Sequence, residues 1–199
     1  MTTGRPREFD TDEAITKAMR LFWRKGYEGT SLSDLTDELG ITRPSLYAAF
    51  GNKEALFLKV LDRYDEETAP FIETALMAPS ARELAEELVY GACAFHSDPN
   101  NPPGCLMVHG ALVGSQASAP VRRETSRRRE QLRERIAERL EHAQAEGDLP
   151  TDANPAALSG YLVALLRGIA VEAASGARPD DLRRIADMAM VAWPAGSTT

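Results

Sequence analysis

The sequence predicts an all-α protein: an N-terminal three-helix domain built on a helix-turn-helix, followed by a C-terminal helical domain. Three observations lead there. Apolar residues recur at three- and four-residue spacing along nearly all of the 199-residue chain, and no window alternates with the period of two that a half-buried strand needs. Helix-start residues, glycine stops and proline-rich loops divide the chain into segments of helical length. Near the N-terminus, two short helical patterns joined through Gly40 follow a longer one.

The elements follow in order. Asp10, with Glu13 three residues on, announces a first helix whose apolar face holds Ile15, Ala18 and Phe22, and Gly26 is its stop. Ser31 caps a short second helix with the stripe Leu32, Leu35 and Leu39, which Gly40 ends. Thr42 caps a third, in which Pro44 sits in the first turn, where its missing N–H costs nothing. Asn52 caps a fourth, running through Leu56, Val60 and Leu61. The sequence Ala78-Pro79-Ser80 precedes a helix striped by Ala81, Leu84, Leu88, Ala92 and Phe95. The loop 97–104, "SDPNNPPG", is the strongest break in the chain, and a new helix begins near Cys105. A long helix with Leu132, Ile136, Leu140 and Ala143 ends at Gly147, an apolar one covers 156–174, and the last carries Leu182, Ile185, Ala189 and Trp193. The domains are placed at 1–61 and 62–199.

In a helix-turn-helix the second short helix enters the major groove with its N-terminal residues toward the base edges. Here those residues are Thr42, Arg43, Pro44 and Ser45, while Leu46 and Phe50, four apart, turn back to the core. The net charge of −7 does not oppose DNA binding, because residues 1–63 carry 10 basic and 10 acidic residues and the acidic excess lies beyond them. Two cysteines make no disulfide scaffold, and the N-terminus lacks an apolar leader, so a reducing cytoplasm is expected. Residues 156–174 are long enough to span a bilayer, but Arg167 and Glu172 lie within them, which favours burial between protein surfaces over membrane insertion. No Ser-His-Asp arrangement, Gly-rich phosphate loop or paired carboxylates argues for an enzyme, and no cofactor is called for.

The stretch "TSLSDLTDELGITRPSLYAAFGNKEALF" resembles the DNA-binding signature of the TetR family of bacterial transcription regulators, over about residues 8–61. The resemblance rests on the Thr-Ser helix start, the Gly40 turn, the Leu-Tyr-x-x-Phe core and the Lys53-Glu54-x-Leu56 opening of the next helix. It implies a homodimer that sets two recognition helices in successive major grooves of double-stranded operator DNA. It also implies a C-terminal domain that binds a small-molecule effector, and a repressor that then releases the operator; the other reading of the helix-turn-helix is an interaction protein that keeps it without using DNA. Thr36, where the family often has alanine, and Pro44-Ser45, in place of a small-residue pair, depart from the pattern and bear on which operator is read.

Among the residues, Arg43 is the candidate base reader, since a guanidinium can pair with guanine O6 and N7; a phosphate contact is its alternative. Thr42 and Ser45 read as contacts to base or phosphate, with capping the other role for Thr42. Tyr47 has a ring for the core and a hydroxyl for a phosphate oxygen. Lys53, in the first turn of its helix, suits a phosphate. Ser31 and Ser33 are backbone contacts, or, for Ser31, a cap alone. Arg5 and Arg7 form either a minor-groove arm or a soluble tail.

Signals in the C-terminal part are weaker. In the run 122–140, Glu124–Arg128 and Glu130–Arg133 are spaced to pair along a solvated helix face. Cys93, His96, Cys105 and His109 have metal-like spacing, but small buried cysteines explain it better, and no metal is assigned. Cys105 after Pro103-Gly104 is a candidate sensor of oxidants or electrophiles, although no lysine follows Lys59 to partner it. The effector pocket is assigned to Tyr90, Phe95, Cys105, Met107, His109 and Tyr161. The dimer interface is assigned to Leu158, Leu162, Leu165, Ile169, Ile185 and Trp193, because a helix apolar on nearly all sides suits a four-helix contact with a partner copy.

Overall fold

The computed structural model describes residues 9–109 and 118–194. Their order is α1 (Thr11–Gly29), α2 (Leu32–Leu39), α3 (Arg43–Phe50), α4 (Lys53–Leu76), α5 (Ala81–Ser97), α6 (Leu106–His109), α7 (Ala119–Ala145), α8 (Pro155–Ala174) and α9 (Pro179–Val191). No strand occurs among the described residues. Arg5 and Arg7 lie outside the described residues, as does the side chain of His109.

The predicted caps form. Asp10 accepts from the backbone N–H groups of Asp12 and Glu13, although Glu13 turns to Lys17, 2.7 Å away, instead of completing the box. Ser31 and Asp34 make a full capping box on α2, and Thr42 and Asn52 cap α3 and α4. Gly26, at φ 72°, interrupts the helical path inside α1, as its sequence signal predicts. Gly40, at φ 65°, supplies the left-handed turn between α2 and α3 that a side chain with a Cβ would strain.

Two apolar cores result. The first joins α1 to α4 through Phe22, Trp23, Leu35, Leu46, Leu56, Phe57 and Tyr64, and it also takes in Leu106 and Val121 from farther along the chain. The second fills the space between the end of α4, α5, α7, α8 and α9 with Leu84, Leu88, Ile136, Leu140, Leu162, Ile169 and Trp193.

Three features depart from the sequence reading. The fourth helix, followed in the sequence only through Leu61, runs to Leu76, past Pro70, so residues 61 and 62 lie within one continuous helix that contributes to both cores. A proline removes only one N–H from a 24-residue helix that is anchored on both sides of it, by Leu61, Tyr64 and Thr68 before and Ala75 after, so the helix continues. The residues assigned to a dimer face lie mostly inward: Leu162, Ile169 and Trp193 are buried in the second core, and Leu158, Leu165 and Ile185 pack against it. The outward face of α8 instead carries Tyr161, Ala164, Gly168 and Val171, at spacings of three and four, and α9 exposes Met188 and Val191, 69% and 81% accessible. Finally, Arg128, expected on a solvated face, turns into the protein with only 12% of its side chain exposed. Helix α8 is long and apolar enough to cross a membrane by length and composition, and here it packs on α5 and α7.

Candidate DNA interface and effector cavity

Helix α3 presents one polar face. Thr42, Arg43, Pro44 and Tyr47 are exposed, Ser45 is half-buried, and Leu46 and Phe50 are buried against α1 and α4. Pro44 occupies the first turn, where the Thr42 hydroxyl already accepts from the Ser45 N–H at 3.3 Å, and the Thr42 and Ser45 hydroxyls lie 2.9 Å apart. Thr42 therefore caps, and each hydroxyl keeps capacity for one more partner. The Arg43 guanidinium donates to the Ser33 hydroxyl at 2.8 Å, which ties α3 to α2 and brings two predicted contact residues together. Tyr47 is 46% exposed, so its ring is not core and its hydroxyl is available outward.

Lys53 opens α4 with its ammonium 4.3 Å from the centre of the Tyr27 ring. Partial burial lowers its pKa, opposed by the nearby charges of Glu28 and Asp34. Lys53 is thus held beside the helix N-terminus rather than extended. Ser31 is fully engaged in its capping box.

A cavity of about 800 Å³ lies between α4, α5, α7 and α8, with Cys105, Met107 and Val108 also in its lining. Its apolar part holds Tyr64, Phe71, Ile72, Phe95, Leu132 and Leu166, and its polar part holds Arg128, Arg129 and Arg167. Phe95, Cys105 and Met107 line it as predicted. Tyr90 and Tyr161 do not. Tyr90 lies toward α9, where its hydroxyl donates to Asp187 at 2.7 Å, while Ala92, Phe95 and His96 supply the cavity face of α5. Tyr161 stands on the outer face of α8, opposite Val163, Leu166 and Arg167.

Arg128 is the main polar link across this cavity. It donates to Glu124 on its own helix at 2.8 Å and to Asp62 at 2.6 Å and Asp65 on α4. The i, i+4 spacing to Glu124 was legible, whereas the two α4 carboxylates, more than 60 residues away, were not. Tyr64, pushed well above the ordinary tyrosine range by burial, keeps its proton and donates to the Cys105 sulfur at 3.3 Å. The Cys93 thiol instead donates to the Leu182 carbonyl at 3.4 Å, so the two cysteines face different neighbours, and no group of three metal-ligating side chains gathers among the described residues.

His96 lines the cavity with a buried Nδ1 that meets no partner among the described residues. Burial lowers its pKa from 6.5 to about 4, against an opposing hydrogen bond with the Gly104 backbone. The unfolded chain takes up a proton near pH 6.5 that the folded chain refuses. The stabilisation is therefore complete above pH 6.5 and falls as pH drops toward 4, by roughly 2–3 kcal/mol. Denaturant melts of wild type and His96→Gln between pH 7 and 4.5 should show a steeper loss for wild type, and parallel curves would contradict this.

The cavity also touches the first core. Trp23 of α1 stacks on Phe95 at 5.8 Å, meets Tyr64 edge-on at 4.9 Å, and donates its Nε1–H to the Gly104 carbonyl at 2.9 Å. The Arg20 guanidinium adds a bond to the Asn100 carbonyl at 2.9 Å.

Comparison with known proteins agrees with this arrangement. A profile of bacterial regulatory proteins of the tetR family matches residues 14–60, and a tetracyclin repressor-like C-terminal domain matches 84–193. The chain belongs to the TetR family. Within that family it is 36% identical over 195 residues to the HTH-type transcriptional repressor ComR of Escherichia coli K12, covering 96% of this chain and 92% of that one. It is 38% identical over 108 residues to the repressor BdcR of the same organism, covering 54% of this chain and 55% of that one. Among solved structures it superposes with a TM-score of 0.91, at 38% identity, on a cysteine variant of the TetR regulator CifR in complex with 26-base-pair operator DNA, covering 96% of this chain and all of that one. Like those relatives, this TetR-family chain is a regulator and not an enzyme.

Proposed function

We propose that this chain is a ligand-responsive transcriptional regulator, a cytoplasmic homodimer that represses by binding double-stranded operator DNA and lets go when an effector fills the cavity. The observation that carries the reading is that cavity and DNA-binding domain share side chains: Tyr64 and Phe95 line the one and pack on Trp23 of the other. An effector that moves either ring moves α1, and α4 carries Lys53 at one end and cavity residues along its middle. Its binding and that of DNA are then linked through two arrangements of the same helices.

On DNA, Arg43 reads bases, Thr42, Ser45 and Tyr47 touch base edges or phosphate, and Lys53 with the free N–H groups of α4 holds a phosphate. Ser31 acts as a cap and Ser33 as the support of Arg43. The dimer forms on the exposed stripe of α8 and α9, with Tyr161, Val171, Met188 and Val191 replacing the inward residues. A gel shift on DNA flanking the chain's own gene tests the reading. Retardation that falls steeply with salt, and exceeds that of random DNA, supports it; equal retardation of both would sink it.

A second reading is favoured by the placement of Cys105, whose thiol lines the cavity and faces the Tyr64 hydroxyl. In it, the effector is an activated alkene: the sulfur bonds to one alkene carbon as the C=C π bond breaks, and the thiol proton ends on the other carbon. An alkylating agent such as N-ethylmaleimide should then release wild-type protein from DNA and leave Cys105→Ser bound. Equal release of both would discard the thiol route.

A further inference from the structure

Four arginines line the cavity, and they differ in one respect. Arg128 is bound to Asp62, Asp65 and Glu124, and Arg135 to Glu73 at 2.8 Å. Arg129 and Arg167 have no carboxylate within ion-pair distance among the described residues; Arg129 donates only to the Ser126 hydroxyl at 2.9 Å. Both are half-buried, on facing helices α7 and α8. Burial first, and then the like charges of Arg129 and Arg133, oppose the charge on Arg167, while Cys105 and Glu130 favour it. Glu130 is already held in a two-pronged pair by Arg133. The other carboxylates at the cavity stand at its solvent side: Glu66 pairs with Arg63 at 3.2 Å, and Glu134 and Glu138 are exposed. Two like charges beside an apolar wall, with no carboxylate in ion-pair contact among the described residues, carry a desolvation cost that an incoming anion would reduce.

We propose that the cavity takes an amphipathic anion: a carboxylate on an apolar body, its head between Arg129 and Arg167 and its body among Phe71, Phe95, Leu132 and Leu166. The proposal rests on the cavity being the effector site. Arginine suits this task because its planar guanidinium meets both oxygens of a carboxylate. The geometry supplies the right order. Leu132 lies one turn beyond Arg129 on α7, Leu166 adjoins Arg167 on α8, and Phe71 of α4 and Phe95 of α5 share the same lining. A neutral molecule would fill the same space but leave both charges unpaired.

Isothermal titration of the full-length protein with 4-phenylbutyrate and with its neutral counterpart 4-phenylbutanamide tests this. The carboxylate should bind at least about ten-fold tighter. Arg167→Gln should bring the two within about two-fold by weakening the carboxylate alone, Arg167→Lys should keep part of the difference, and Arg129→Gln gives a second reading should the first variant fail to fold. Equal affinities in wild type, no binding of the carboxylate, or a preference that survives both glutamine variants would overturn the anion proposal. So would dissociation of the dimer in Arg167→Gln with carboxylate preference intact, since the arginine would then serve a partner subunit. Binding of the amide alone would leave the cavity as an effector site while removing the anion. Preferential carboxylate binding that leaves the operator complex intact would do the reverse.

Discussion

Replacing Arg43 with alanine should cut the preference for operator over random DNA by roughly ten- to hundred-fold, the equivalent of about 1–3 kcal/mol for one lost two-pronged base contact. The fold should survive, because Arg43 is exposed and its single observed bond goes to the Ser33 hydroxyl. Lys53→Ala is the contrasting case. A phosphate contact carries no sequence information, so binding to all DNA should weaken alike and the salt dependence should lose about one counterion. Anisotropy titrations on operator and scrambled duplexes at several salt concentrations separate the two. Arg43→Ala binding with wild-type discrimination would remove this residue from base reading.

The second large effect concerns stability. Phe57 is fully buried where α4 crosses the first core, with its ring 5.0 Å from both Phe22 and Tyr27, edge-on to the first and inclined to the second. Phe57→Ala removes that burial and leaves a void that rigid neighbours cannot fill, at a cost of about 3–5 kcal/mol. For a chain of this size that lowers Tm by roughly 6–20 °C. Because the same core positions α3 through Leu46 and Phe50, DNA affinity should fall with it even below the transition. A calorimetric scan showing a shift of under about 2 °C would contradict the packing described for α1 and α4.

The sequence displayed local features and hid distant ones. Caps at Asp10, Ser31, Thr42 and Asn52, the Gly40 turn and the polar start of α3 are each decided within four or five residues, and each was readable from spacing alone. The length of α4 was not, because its second half is held by contacts with α5 and α7 that offset Pro70. In the same way, a helix apolar on most sides says that α8 is enclosed without saying which face meets its own chain, so the dimer residues were placed on the inner side. Tyr90 and Tyr161 were assigned to the cavity by residue type, whereas the direction of α5 and α8 turns both away from it. The arginines of the cavity were hidden by their abundance: within one basic run, Arg128 and Arg129 turn inward while Arg127 and Arg133 stay exposed.

Paired copies of α3 are expected to read successive major grooves of an operator. Hydroxyl-radical footprinting on DNA flanking the chain's own gene tests it most directly. Two protected patches about one helical turn, 34–36 Å, apart are expected, with protection lost together in Arg43→Ala. A single patch, or two whose separation is not a whole number of turns, would contradict it.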